Sequence, residues 1–257
     1  MFISPLRLKK FGLNVNGVLH IGCHLGEEAS SYISQNWTPI YWVDAQADLL
    51  AKAKEKLLSE FPNTNQYFFQ GVVSSESGNL VDFLITNNGQ SSSIFKLANH
   101  KVLYPDIVVT SKLQMRTKRI DELVPDSSDF NFLNIDIQGG ELAALMGLGD
   151  LVRKIDYIYT EVNRKELYAN IPLVTEIDEY LRNFGFMRKI TYWVPFEGWG
   201  DALYVKQFFN HEITIGQKIK IFFTQMIFRA SYFDYFLLHK YLKKHFYNMI
   251  FSRSGTK

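Results

Sequence analysis

Gly17-Val18-Leu19-His20-Ile21-Gly22-Cys23-His24-Leu25-Gly26-Glu27-Glu28 holds the first informative pattern in the chain. Its first six residues read as a short buried strand ending in glycine. Gly22 and Gly26 then let the backbone turn sharply and approach a ligand closely. A helix is expected over residues 26–34, its unpaired N–H groups available to an anionic end of that ligand. The alternative is an ordinary buried strand–turn–helix.

The next strand, Pro39-Ile40-Tyr41-Trp42-Val43-Asp44, ends on an acid eighteen residues past Gly26. A carboxylate there is placed to accept both hydroxyls of an adenosine ribose. A nicotinamide dinucleotide fits less well. Its fingerprint needs G-x-G-x-x-G, and Gly22-x-x-x-Gly26 has no third glycine in register. The two glutamates after the turn also disfavour a pyrophosphate. An adenosyl cofactor with a cationic sulfonium and no phosphates suits the loop better.

Strand–helix units continue along the chain. A helix is expected over Ala47 to Ser59, with Leu49, Leu50, Ala53 and Leu57 at helical spacing. Strands follow over 65–74, 80–85, 130–135 and 157–162. Helices follow over 140–148 and 173–184, the second stopped by Gly185. Residues 187–194 and 202–205 read as a closing pair of strands. Alternating strands and helices define an α/β sheet covered on both faces. Its ligands belong outside the carboxyl ends of the strands, where Gly22, Asp44, Gly71, Asp136 and Glu161 fall.

Composition sets the bounds. The chain has 257 residues, 47% hydrophobic, with one cysteine and a net charge of +2. This excludes a disulfide-stapled mini-protein and a wholly disordered chain. Cys23 alone cannot form an intrachain disulfide and fits a reducing compartment. No signal peptide or 18-residue apolar run is apparent, so a cytoplasmic protein is expected, or one peripheral at the inner membrane surface. Two domains are expected, residues 1–210 and a basic, aromatic, helical extension over 211–257. The extension holds eight Lys/Arg against two acids and eleven aromatics, leaving the body at −4. Such an extension suits packing on the body, a homodimer seam or an anionic membrane surface. Nothing in it marks nucleic-acid binding.

Asn134-Ile135-Asp136-Ile137-Gln138-Gly139-Gly140-Glu141 is the second informative segment. A strand ends in an acid and glycines open a helix, so Asp136 is expected to face the crevice; the plainer reading is that it caps that helix, and the two are compatible. Glu161, at the end of the following strand, is its expected neighbour. Two carboxylates in one cleft suit a cationic cofactor, a sugar hydroxyl or a metal. No His-x-x-His or Glu-x-x-His spacing supports the metal.

Together these segments resemble the FkbM family of S-adenosylmethionine-dependent methyltransferases. The resemblance rests on His20 to Gly26 with Asp44-Ala45-Gln46, on Asn134 to Glu141 with Leu145 to Gly147, on Tyr159-Thr160-Glu161-Val162-Asn163, and on Gly200 to Val205. It spans about residues 15–206. It implies a Rossmann-like class I methyltransferase sheet, mostly parallel with an antiparallel closing strand. It also implies methylation of a hydroxyl on a sugar, glycan or related small metabolite. Cofactor contacts would fall on Gly22, Cys23, His24, Gly26, Asp44 and Asp136. Five positions depart from the family's usual residues: His20 for aspartate, His24 for asparagine, Asp44 for glutamate, Asn134 for lysine and Gln138 for glutamate. The alternatives are an inactive methyltransferase-like binding protein and an NAD-dependent oxidoreductase.

A hydroxyl is a poor nucleophile, so a general base is expected within hydrogen-bond reach of it. Asp136 or Glu161 is the expected base, with His24 and His100 as histidine alternatives. Residues 87–117 are expected to cover the acceptor site. Ser91-Ser92-Ser93 supplies hydroxyls there or is a plain turn. Tyr192, Trp193 and Trp199 offer aromatic faces for a sugar, or belong to the core.

Overall fold

The structure is a computed structural model. It describes residues 1, 4–10, 12–98, 103–195 and 197–206. His100 and the expected 211–257 extension lie outside the described residues.

Ten strands and six α-helices are described. In chain order they are α1 (Pro5–Lys10), β1 (Val18–Ile21), α2 (Ala29–Ser34), β2 (Ile40–Asp44), α3 (Ala47–Glu60), β3 (Gln66–Gln70), β4 (Val72–Val73), β5 (Leu80–Thr86) and β6 (Val109–Lys118). Then come α4 (Ile120–Leu123), β7 (Phe132–Ile135), α5 (Glu141–Met146), a 3-10 helix (Gly149–Lys154), β8 (Tyr157–Asn163), α6 (Val174–Arg182), β9 (Phe186–Trp193) and β10 (Trp199–Lys206). Seven strands form one sheet in the order β3-β2-β1-β7-β8-β10-β9. All run parallel except β10, which is antiparallel to both neighbours. This is the Rossmann-like class I methyltransferase sheet with its antiparallel closing strand.

The strand order follows from the apolar pattern. β1, β2, β7 and β8 are buried along their whole length, so they must lie inside the sheet with both faces covered. One face carries Leu19, Ile21, Val43, Leu133, Ile135 and Ile158 into a core with Ala144 and Leu145 of α5 and Ile177 and Leu181 of α6. The other face carries Trp42 and Phe132, which pack with Tyr32 of α2 and Trp37. Burying each such aromatic stabilises the fold by about 1.5–3 kcal/mol.

Several boundaries differ from the sequence reading, among them β10, which begins at Trp199 rather than at 202. The helix after the glycine loop starts at Ala29, not Gly26. Gly26 has φ +68°, outside the helical region, and its N–H closes a turn onto Cys23 at 2.8 Å. The strand expected over 65–74 is split at Gly71. The Gly71 N–H donates to Asp44 O at 3.0 Å, ending the pairing with β2, and Val72–Val73 then pairs with Thr117–Lys118. Glu161 lies two residues inside β8, not at its end. The link from β3 to β7 is itself a small sheet, β4-β6-β5, where a helical crossover is the usual solution. Its residues 87–94 return toward the end of β1.

Candidate functional site

The site forms where the strand order changes direction, between β1 and β7. Gly22 ends β1 with φ +81°. Its N–H and that of Cys23 donate to Val43 O at 2.9 and 3.2 Å. These bonds tie the first loop to the end of β2. Asp44 holds the same junction with its side chain. Its Oδ2 accepts the His24 N–H and its Oδ1 the Gln46 N–H, each at 2.8 Å. Both oxygens keep a lone pair for a further donor. Burial pushes the Asp44 carboxyl up, and the two backbone donors oppose the shift.

Two cavities meet here. A narrow one of about 70 Å³ has Asp44 and Gln46 on one side and Val72, Phe83, Ile94 and Ile137 as apolar walls. A wider one of about 410 Å³ is bounded by Glu28, Tyr104, Asp136, Glu161, Trp199 and Asp201. Gly22, His24, Gln90, Asp136 and Gln138 border both, so the two form one cleft across the end of β1. Residues 87–94 cross its top. Gln46 Nε2 donates to Gly89 O at 3.1 Å and Ser93 Oγ to Gln138 O at 2.8 Å.

Of the residues expected at the cofactor, Gly22, Cys23, His24, Asp44 and Asp136 all border the cleft. Gly26 does not, and a Cβ there would meet Leu57 Cδ1 at 2.5 Å. Asp136 and Glu161 face the same wider cavity. Of the aromatics, Trp199 borders it, Tyr192 is buried and Trp193 carries the Arg164 guanidinium 3.7 Å above its ring. Ser91 borders the wider cavity and Ser92 and Ser93 the narrow one.

The floor of the wider cavity is set by sheet register. His20 pairs with Asn134, and Asn134 with Tyr159, giving one polar layer. The layer above holds Asp136, Glu161 and Asp201, the last two directly opposite each other across β8 and β10. In the lower layer Asn134 Nδ2 is 3.1 Å from His20 Nε2 and donates to Tyr32 Oη at 2.9 Å. Tyr159 Oη donates to Asp201 Oδ2 at 2.6 Å. His20 and Asn134 thus meet as a neutral pair.

Burial holds the His20 pKa down at about 4. Above about pH 6.5 the ring is neutral in folded and unfolded chains alike. As pH falls, the unfolded chain takes up a proton that the buried ring refuses, so stability is lost from about 6.5 down to about 4. Asp136 and Glu141, pushed up to about 6 and about 7 mainly by burial, act in the opposite sense over the same window. The stability difference between wild type and His20→Gln is therefore the clean measure. It should fall by about 3 kcal/mol between those limits, read from urea unfolding.

In the upper layer, Asp136 reaches solvent through the cleft although protein closely surrounds it. Its pKa rises from burial and from the nearby Asp201 carboxylate. Glu161 is pushed well above the carboxylate range by burial and by Asp136. The helix-capping alternative for Asp136 falls to another residue. Glu141 accepts the Ile137 N–H at 3.0 Å and the Gly139 N–H at 3.1 Å, which leaves Asp136 to the cleft.

Tyr104 carries no signal in the sequence, and Asp201 and Glu141 stand within the segments that carry the resemblance without a site role of their own. Asp201 had a visible signal, an acid opening the apolar strand Ala202-Leu203-Tyr204-Val205. Among the described residues no group of three or more His, Cys, Asp or Glu is arranged to hold a metal.

The residues present fit an adenosyl sulfonium cofactor. A buried carboxylate beside an apolar slot suits ribose and adenine, and the carboxylates beyond Gly22 suit positive charge. Fold and site define an S-adenosylmethionine-dependent methyltransferase. The methyltransferase FkbM domain matches residues 20–187, and the chain belongs to that family. The family settles the cofactor as S-adenosylmethionine rather than a nicotinamide. The chain is 23% identical over 172 residues to the 2-O-methyltransferase NoeI of Sinorhizobium fredii, covering 63% of this chain and 69% of that protein. Similar solved structures include magnesium protoporphyrin IX methyltransferase from Synechocystis, with a TM-score of 0.42, 13% identity and coverage of 74% and 69% of the two chains. A methyltransferase from Aquifex aeolicus has a TM-score of 0.41, 17% identity and coverage of 79% and 89%. Among the described residues no helix is long and apolar enough to cross a membrane.

Asp44→Asn should weaken S-adenosylmethionine binding about 10- to 100-fold, since a charged hydrogen-bond acceptor contributes about 1.5–3 kcal/mol. Calorimetric titration reads this directly.

Proposed function

We propose that this protein transfers the methyl group of S-adenosylmethionine to a hydroxyl of a sugar or glycan, with Asp136 as general base. One observation carries the reading. Asp136 lies where the cofactor-side cavity opens into a second one bounded by carboxyl groups and by the aromatic side chains of Trp199 and Tyr104. Carboxylates accept sugar hydroxyls, and aromatic faces cover the apolar side of a sugar ring. The name of the rhizobial relative supports a 2-hydroxyl as the first acceptor to try.

When bound, S-adenosylmethionine supplies a methyl group already activated by a sulfonium. The chain's own task is to orient the acceptor, exclude water and take one proton. Asp44 would hold the ribose hydroxyls, and Val72, Phe83 and Ile137 would enclose the adenine. Asp136, with a pKa of about 6, is ionised near neutral pH and close enough to that pH to accept a proton efficiently. Glu161, whose carboxyl is pushed up by burial and by the Asp136 charge, would orient the acceptor beside it. Gln90 and the rest of 87–94 shield the junction of the cavities.

The test uses the full chain. Calorimetry should show binding of S-adenosylmethionine but not of NAD. Labelled methyl should then pass to a neutral sugar bearing a free 2-hydroxyl, from a panel of monosaccharides and short glycans. Transfer to amines or carboxylates but to no hydroxyl would sink the reading.

A further inference from the structure

We propose that Gln138 is a positioning residue, an amide clamp that holds Asp136 and Glu161 together and keeps Asp136 available as a base; this rests on the methyl-transfer reading above. Its Nε2 donates to Asp136 Oδ1 at 2.7 Å and to Glu161 Oε2 at 3.1 Å, so each of its two N–H groups serves one acid. Its Oε1 accepts the Tyr168 O–H at 2.6 Å. Its backbone is equally fixed: φ is +57°, and its carbonyl accepts the Ser93 hydroxyl at 2.8 Å. A non-glycine residue keeps such a conformation only where its surroundings determine it.

The residue type matters. A primary amide is the uncharged side chain that offers two donors from one nitrogen. A carboxylate at this position offers none and would bring a third negative charge against two acids. Turning the amide over would set its oxygen against Asp136 Oδ1, acceptor against acceptor. Tyr168, kept protonated by burial, donates from the far side and removes any gain from turning.

Charge explains why a clamp is needed. Asp136 is faced by Asp201 of β10, Glu161 of β8, Glu141 of α5 and Glu28 ahead of α2, and by the Met1 ammonium. His20 of β1 lies below, neutral, and Tyr168 lies behind the amide. The Met1 ammonium favours the ionised form, while burial first and then the Asp201 and Glu28 charges push a proton onto Asp136. The Gln138 donor opposes them, because a hydrogen bond to the ionised form favours it.

The test is a carbon-13 NMR titration of the full chain with labelled Asp and Glu carboxyl groups. Asp136→Asn and Glu161→Gln identify the two signals by their loss. In wild type Asp136 should titrate near 6. Gln138→Ala should raise its midpoint by about one unit and Gln138→Glu by more than one. Tyr168→Phe, which removes only the oxygen that fixes the amide, should raise it by about half a unit. A merely structural role would lower thermal stability and leave the midpoints in place. Midpoints within about 0.3 units of wild type in both Gln138 variants would overturn the proposal. If those variants do not fold, an unchanged midpoint in Tyr168→Phe overturns it instead. The titration needs no acceptor, so it stands apart from the methyl-transfer test. A protein with these shifts that methylates no hydroxyl would lose the acceptor reading and keep the clamp.

Discussion

Asp136→Asn should lower methyl transfer to a sugar hydroxyl by about 100- to 10,000-fold, the usual contribution of a general base. The substitution keeps the shape of the side chain and removes its basicity. Its amide oxygen can still accept from Gln138 Nε2, now 2.7 Å away. The fold should therefore survive, and S-adenosylmethionine should bind within about tenfold of wild type. Stability should even rise slightly above about pH 6, where the wild-type chain keeps a carboxylate ionised against Asp201. Labelled-methyl transfer and calorimetry on the same preparation separate chemistry from binding. Equal losses in both would assign Asp136 to the cofactor alone.

Gly22→Ala should be the most damaging small substitution in the cleft. An added Cβ would come 1.8 Å from Asp136 O and 2.8 Å from its carbonyl carbon. Those are backbone atoms of the neighbouring central strand's end, so no side chain can swing away. The φ of +81° adds about 1–2 kcal/mol for an L side chain. β1 and β7 would have to part where Asp136 N–H donates to Ile21 O at 3.0 Å. A loss of about 4 kcal/mol or more is expected, with a fall in Tm of about 10 °C. S-adenosylmethionine binding should be lost with it. Gly26→Ala is the control. Its Cβ meets the end of the flexible Leu57 side chain, so it should cost less and spare the cofactor site. Thermal unfolding of the two variants beside wild type checks the contrast.

The sequence by itself determined the strands of the main sheet, the parallel α/β class and the positions of Gly22, Asp44 and Asp136, but not the separate strands β4 and β6. These are local features: runs of β-forming residues, glycine where φ must be positive, and an acid at a strand's end. The boundaries at Gly26 and Gly71 were not legible, because each depends on a hydrogen bond to a distant residue. Tertiary structure alone decided that β10 enters between β8 and β9. That brings Asp201 opposite Glu161 although forty residues separate them in the chain. It also decided that His20 and Asn134 meet over Tyr32, turning two unusual residues into one neutral buried network. The Gln138 bridge between Asp136 and Glu161, fixed by Tyr168 from beyond β8, has no local signature. Such contacts are set by strand order and register, which place side chains from separate segments in one layer. A pattern along the chain records which face a residue takes, not which residue it will meet there.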